Sequence, residues 1–128
     1  MQIQNHLYKY NLILKEQKGN RRNSLGTKDQ LLIDKMILRN SRRRKTNLHV
    51  TWIDYKKAFD SLPHSWIAKC LEIVEVSGNI RQFLRVAMDS WETVLTVKEQ
   101  VLDYVHIRRE IFLGDSLSPL LYVIAMIP

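Results

Sequence analysis

Leu48-His49-Val50-Thr51-Trp52-Ile53-Asp54-Tyr55-Lys56-Lys57-Ala58-Phe59-Asp60 is the stretch that decides the fold. Its first part, Leu48 to Tyr55, is rich in Val, Trp, Ile and Thr and mostly apolar, which predicts a central β-strand. Asp54 then ends a buried strand, where a carboxylate costs free energy unless it is paired or holds a metal. At a strand tip facing a cleft it is a suitable hard ligand for Mg²⁺ beside phosphate oxygens. Two such ions roughly 4 Å apart activate an attacking oxygen and stabilise a leaving one. Spacing alone leaves another reading open, in which Asp54 and Asp60 cap the turn and short helix after the strand.

Downstream, Pro63 opens a helix carrying Ile67, Leu71 and Val74 at helical spacing, with Cys70 expected on its buried face. Ser77-Gly78-Asn79 breaks it. A second helix follows, with Ile80, Phe83, Leu84, Ala87, Met88 and Trp91 in one apolar stripe expected to form core. Thr93–Val97 and Val101–Arg108 read as a β-hairpin around Lys98-Glu99-Gln100. Ser116 to Ile127 reads as an almost wholly apolar helix that nothing else in the chain is expected to cover, which suggests a domain cut short and poor solubility.

Upstream, Gln4 to Leu14 reads as a short helix or extended piece and Glu16 to Gly26 as a polar, basic loop. Thr27 suits an N-cap, with Gln30 completing a capping box. The helix it opens runs to about Asn40 or Lys45, with Leu32, Ile33, Met36 and Ile37 on one face. The layout is α+β, expected as helices packed on a small antiparallel sheet.

At 128 residues there is room for about one domain, and 45% hydrophobic with 26% charged residues excludes disorder. One cysteine excludes a disulfide framework or a Cys-rich zinc site. No run reaches the ~20 apolar residues of a membrane span, and no signal-peptide pattern opens the chain, so no membrane partner and an intracellular location are expected. Net charge is +7, concentrated between Lys15 and Lys45, where eleven Lys or Arg stand against three Asp or Glu. Such a stripe neutralises phosphates, and nucleic acid is its natural partner. Arg42-Arg43-Arg44-Lys45 alone would equally suit a solvated helix end or a localisation signal. His6, His49, His64 and His106 have no metal-site spacing, and Trp52 and Trp66 are expected in core.

Three blocks in order carry a resemblance. Ile53 to Asp60, with Ser61-Leu62-Pro63-His64 after it, resembles the first palm motif of non-LTR (LINE-type) retrotransposon reverse transcriptases. Glu16-Gln17-Lys18-Gly19 through Gly26-Thr27-Lys28-Asp29-Gln30 resembles their fingers motif. Phe112-Leu113-Gly114-Asp115-Ser116-Leu117-Ser118-Pro119-Leu120-Leu121 resembles their second palm motif. The resemblance implies a partial right-hand polymerase fold, with fingers over about 1–47 and an incomplete palm over about 48–128. It implies that Asp54 binds metal, Mg²⁺ or Mn²⁺, with the backbone carbonyl of Tyr55 as a further ligand. It makes Phe59 the aromatic gate under the incoming sugar, with ordinary core packing as the other reading. Gly114 would let backbone approach the primer end and incoming base pair, and Leu113 precedes it in the nucleotide-binding turn. Lys18, Arg21 and Arg22 would face template or triphosphate oxygens, or be solvated surface charges. Asp60 would be structural. Ser116 and Ser118 suit the N-cap and first turn of the last helix, with Pro119 early in it. Implied partners are an RNA template, a DNA primer and deoxynucleotides.

The sequence departs from that pattern in three places. Tyr/Phe-x-Asp-Asp, which supplies the family's other metal carboxylates, does not occur in these 128 residues. Leu113 stands where the family has Gln. Glu110 stands where it often has Gly, and Asn20 and Asn23 replace other loop residues. The expectation is an RNA-directed DNA polymerase fragment, inactive as this chain and dependent on missing carboxylates for its metal. The alternatives are a non-catalytic nucleic-acid-binding remnant or domesticated element, and a small helical interaction domain unrelated to polymerases.

Overall fold

A computed structural model describes residues 2–128. Its elements run α1 (Gln2–Lys9), α2 (Thr27–Arg44), α3 (His64–Ile73), α4 (Gly78–Asp89), β1 (Glu92–Val97), β2 (Gln100–His106) and α5 (Ser118–Ala125). Five helices and one antiparallel pair make the class α+β. The chain divides into two units, 13–56 and 2–12 with 57–128.

The larger unit holds the core. α3 buries Ile67, Cys70 and Leu71 on one face and packs against both α4 and α5. α5 buries Leu120, Leu121, Val123, Ile124 and Ala125. The expectation that this apolar helix finds nothing to pack on is therefore overturned: α3 covers it. The Trp66 indole N–H donates to the Ala125 carbonyl at 3.0 Å, satisfying a C-terminal carbonyl of α5. Trp66 is otherwise 41% exposed, so it caps the core edge rather than filling it. Each large apolar side chain buried here contributes about 1.5–3 kcal/mol relative to exposure. α1 adds Ile3 and Leu7, one helical turn apart, and His6 Nε2 donates to the Val74 carbonyl at 2.7 Å.

On α4, Leu84 and Met88 are buried and Ile80 and Ala87 half-buried along the expected stripe, while Trp91, also half-buried, lies beyond the helix end. Phe83 is not core as expected but 69% exposed. At ~100° per residue it lies at the margin of the stripe, well round the helix from Met88. β1 and β2 pair with Glu92 opposite His106 and Val97 opposite Gln100, and a bulge at Leu95/Thr96 leaves Leu102 unpaired. Lys98 and Glu99 both have positive φ, 48° and 66°, as a two-residue type I′ turn needs. Every strand residue is exposed. The helices thus do not pack on the sheet, because α3 already spends its apolar surface on α4 and α5.

A backbone ladder ties this unit together between 59–64 and 108–111. His64 N donates to Arg108 O at 3.1 Å, Glu110 N to Leu62 O at 3.0 Å and Ile111 N to Phe59 O at 3.2 Å. Glu110 sits in this ladder at φ 97°, and its carbonyl accepts from His64 Nε2 at 2.9 Å.

In unit 13–56, α2 is the one helix. Gly26, not Thr27, occupies its N-cap, and neither Thr27 nor Gln30 forms the expected box. Asp29 does the work instead, accepting from the Leu25 N–H and the Ser24 hydroxyl, both at 2.8 Å. Lys45 ends the helix in the left-handed region, with Thr46 N donating to Ser41 O at 3.1 Å. No α2 residue is buried.

Leu48–Tyr55 is not a strand. Residues 46–55 have no regular structure, and Trp52 and Ile53 are 75% and 78% exposed. A strand exists by its ladder, and no described residue pairs with this one. Its β propensity is unspent, and Trp52, expected in core, lies in solvent.

Candidate nucleotide and nucleic-acid site

The sequence-predicted site residues divide between the units. Lys18, Arg21, Arg22, Asp54 and Tyr55 lie in 13–56, and Phe59, Leu113 and Gly114 lie in 57–128.

Asp54 and Tyr55 are exposed on the irregular stretch, so Asp54 does not end a strand as expected. Among the described residues its carboxylate has no ion pair within 4.0 Å. Asp60 is likewise exposed, on the turn where Ser61 N donates to Lys57 O at 2.9 Å.

The loop before α2 has its own internal logic. Asn20 and Asn23 take φ 51° and 58°, the left-handed region that asparagine tolerates best after glycine. These residues thus fit the loop's backbone. Arg21 donates through Nη1 to the carbonyls of Ile13, at 3.4 Å, and Leu14. Through Nη1 its guanidinium closes the loop on 13–14. Arg22 is exposed and Lys18 half-buried. The Ser24 hydroxyl, then the Leu25 N–H, hold the Asp29 carboxyl below its usual value, with a smaller contribution from the Lys18 charge.

In the other unit, Phe59 is half-buried and stacks on Tyr122 of α5, ring centroids 5.1 Å apart and planes 13° from parallel. Sequence reasoning missed Tyr122; its signal is that it is the one aromatic on an otherwise aliphatic helix. Leu113 is 78% exposed. Gly114 has φ 93°, and a Cβ built there would meet nothing within 4 Å. In this structure its backbone conformation, rather than a close neighbour, requires glycine.

Asp115 supplies the start of α5. Its carboxylate accepts from Leu117 N at 3.3 Å and from the Ser118 hydroxyl at 3.4 Å. Ser116 is not the N-cap as expected; Leu117 takes that place, and Pro119 falls within the first turn.

Among the described residues no group of three or more His, Cys, Asp or Glu side chains is placed to hold a metal ion. One carboxylate and one carbonyl do not make the coordination shell of Mg²⁺. Asp54 and Tyr55 by themselves do not fit a two-metal centre. Cys70 is buried, its thiol pushed up by desolvation, and is an unreactive core residue.

A family model described as reverse transcriptase (RNA-dependent DNA polymerase) matches residues 1–128. Two relatives from Popillia japonica are each named Retrovirus-related Pol polyprotein from type-1 retrotransposable element R2. One is 31% identical over 95 residues, covering 73% of this chain and 13% of the relative. The other is 23% identical over 101 residues, covering 79% of this chain and 17% of the relative. The chain thus spans less than a fifth of the length of these relatives. No solved structure gives a significant match.

Proposed function

Because this chain belongs to the reverse transcriptase (RNA-dependent DNA polymerase) family, we propose that it forms the fingers and first palm segment of a retrotransposon polymerase. In the intact enzyme a primer 3′-hydroxyl attacks the α-phosphate of a deoxynucleotide on an RNA template, and diphosphate leaves. The observation that supports this reading is the family match over residues 1–128; the roles given to Asp54, Phe59 and Gly114 rest on the motif resemblance of the sequence around them. Asp54 supplies one carboxylate, Phe59 a flat ring against the sugar, and Lys18, Arg21 and Arg22 phosphate contacts. Mg²⁺, when bound by a full set of carboxylates, supplies activation of the attacking oxygen. The stack of Phe59 on Tyr122 supports the gate reading, because a second ring against it, worth about 0.5–1.5 kcal/mol, resists its swinging aside for a 2′-hydroxyl.

With no Tyr/Phe-x-Asp-Asp in the sequence, this chain alone does not extend a primer. The test has two arms. The isolated chain, given an RNA template, a DNA primer and Mg²⁺, yields no extension. Placed in register within a longer R2-type polyprotein that carries the remaining carboxylates, the same 128 residues support extension; Asp54→Asn abolishes it and Asp60→Asn leaves it intact. Extension by the isolated chain, or survival of activity in Asp54→Asn, overturns the assignment.

A second reading rests on the +7 charge and its concentration in 15–45: a nucleic-acid-binding remnant without catalysis. It predicts salt-sensitive RNA binding and no activity in either arm.

A further inference from the structure

In Arg21-Arg22-Asn23-Ser24-Leu25 a serine hydroxyl follows paired arginines and precedes a large apolar residue. An arginine-directed serine kinase reads that pattern: its carboxylates take the guanidinium groups in two-point geometry, and an apolar pocket takes the side chain after the serine. Leu25 is 68% exposed, so that anchor already faces outward. No helix or strand runs between α1 and α2, and residues 14–26 bury no side chain. Such a segment opens locally at small cost, as an acceptor loop must to lie extended in a kinase cleft. Thr46 also follows paired arginines, Arg43 and Arg44, at the same spacing, but Asn47 stands after it in place of an apolar residue.

Ser24 is also where the start of α2 is tied to the loop. Its hydroxyl donates to Asp29 Oδ2 at 2.8 Å and accepts from Gly26 N at 3.1 Å, while Leu25 N donates to the same Asp29 oxygen at 2.8 Å. The hydroxyl proton is thus the link between loop and first turn. A phosphate ester oxygen has no proton to donate, and its dianion repels a carboxylate at that distance. A phosphoryl group on Ser24 Oγ therefore expels Asp29 and takes the Leu25 N–H, as the stronger acceptor at a helix start.

We propose that Ser24 is a phosphorylation site for an arginine-directed serine kinase, and that its phosphoryl group displaces Asp29 from the start of α2. The hydroxyl oxygen attacks the γ-phosphorus of ATP and its proton passes to a carboxylate base of the kinase. The bond from that phosphorus to the bridging oxygen breaks, and ADP leaves. Residues 15–24 hold Lys15, Lys18, Arg21 and Arg22 against Glu16 alone, and the new charge, about −1.5 to −2 at neutral pH, offsets about half or more of that excess. Neither step involves Asp54, Phe59 or Gly114, so the site stands whether or not the polymerase reading does.

The experiment incubates the full chain with ATP, Mg²⁺ and the catalytic subunit of cyclic-AMP-dependent protein kinase. Incorporation is followed by intact mass and located by peptide fragmentation. Ser24 is expected to be the first residue modified, and Ser24→Ala to lose that phosphate. Arg21→Gln and Arg22→Gln are each expected to slow incorporation about tenfold, the loss of one charge-assisted hydrogen bond to the kinase. Arg21→Gln also unties the loop from 13–14, which alone would speed the reaction, so slowing reports recognition rather than folding. Lys98→Gln, which removes a charge at the hairpin tip, is expected to leave the rate unchanged. Phosphate on Thr46 but not on Ser24, an unchanged rate in both arginine variants, or an equal loss in Lys98→Gln overturns the site. In the phosphorylated chain the Leu25 amide resonance should shift and the Asp29 carboxyl should titrate at higher pH than in the parent. If either stays where it was, the displacement of Asp29 is overturned.

Discussion

At the scale of single residues, backbone angles explain substitutions that side-chain chemistry leaves obscure. Glu110 has a φ of 97°, a backbone conformation that suits glycine better than any residue with a side chain. Its N–H and carbonyl both serve the ladder to 62–64, so the main chain matters there and the side chain does not. Glu110→Gly should therefore stabilise the fold by about 1 kcal/mol, the relief of an unfavourable φ less glycine's entropy. A urea midpoint that rises with an unchanged m-value would bear this out, and a fall would show that the carboxylate matters. Asp29 allows a pH prediction. Its folded-state carboxyl lies below the ordinary value of 3.8 because Ser24 and Leu25 donate to its ionised form. Its contribution is present above that ordinary value and disappears as pH falls through the lower, folded one. Asp29→Ala should lower the helical circular-dichroism signal at neutral pH and remove part of its loss in acid.

At the scale of elements, helices were legible and the strand was not, for one physical reason. Ile67 and Leu71 on α3 with Val74 at its C-cap, and Leu84 and Met88 on α4, repeat at the spacing that hydrogen bonds within one segment enforce, so local sequence suffices. Leu48–Tyr55 has equally strong β character, but a ladder needs a second segment, and no described residue supplies it. The same limit applies to the site. Asp54, Phe59 and Gly114 are singled out by motif resemblance alone, while Tyr122 beneath Phe59 and Asp115 at the start of α5 depend on contacts that no spacing reveals. The hairpin turn offers a check on local logic. Lys98 and Glu99 both hold positive φ, so replacing them with Asn-Gly should stabilise the hairpin by about 1 kcal/mol, read as slower amide exchange in β1 and β2. Unchanged exchange would mean that the bulge at Leu95, not the turn, limits it.

At the scale of the whole molecule, the two units differ in how they are held. The 57–128 portion has a buried core, so Ile124→Ala should cost about 2–5 kcal/mol, a large share of any domain's stability, and show as a lowered thermal midpoint. Loss of under 1 kcal/mol would mean that α5 is less firmly seated on α3 than its burial indicates. Within 13–56, α2 exposes Leu32, Met36 and Ile37 beside its arginines, and one buried side chain, Ile13, serves the whole unit. The bare His49–Ile53 run has a further consequence. Five uncharged, β-prone residues without proline are a template for cross-β stacking between copies. Concentrated solutions of this chain should form fibrils that light up thioflavin T, and Thr51→Pro should lengthen the lag by denying the growing filament one amide per layer. The run that leads straight into the palm-like stretch is then also the one most ready to become amyloid.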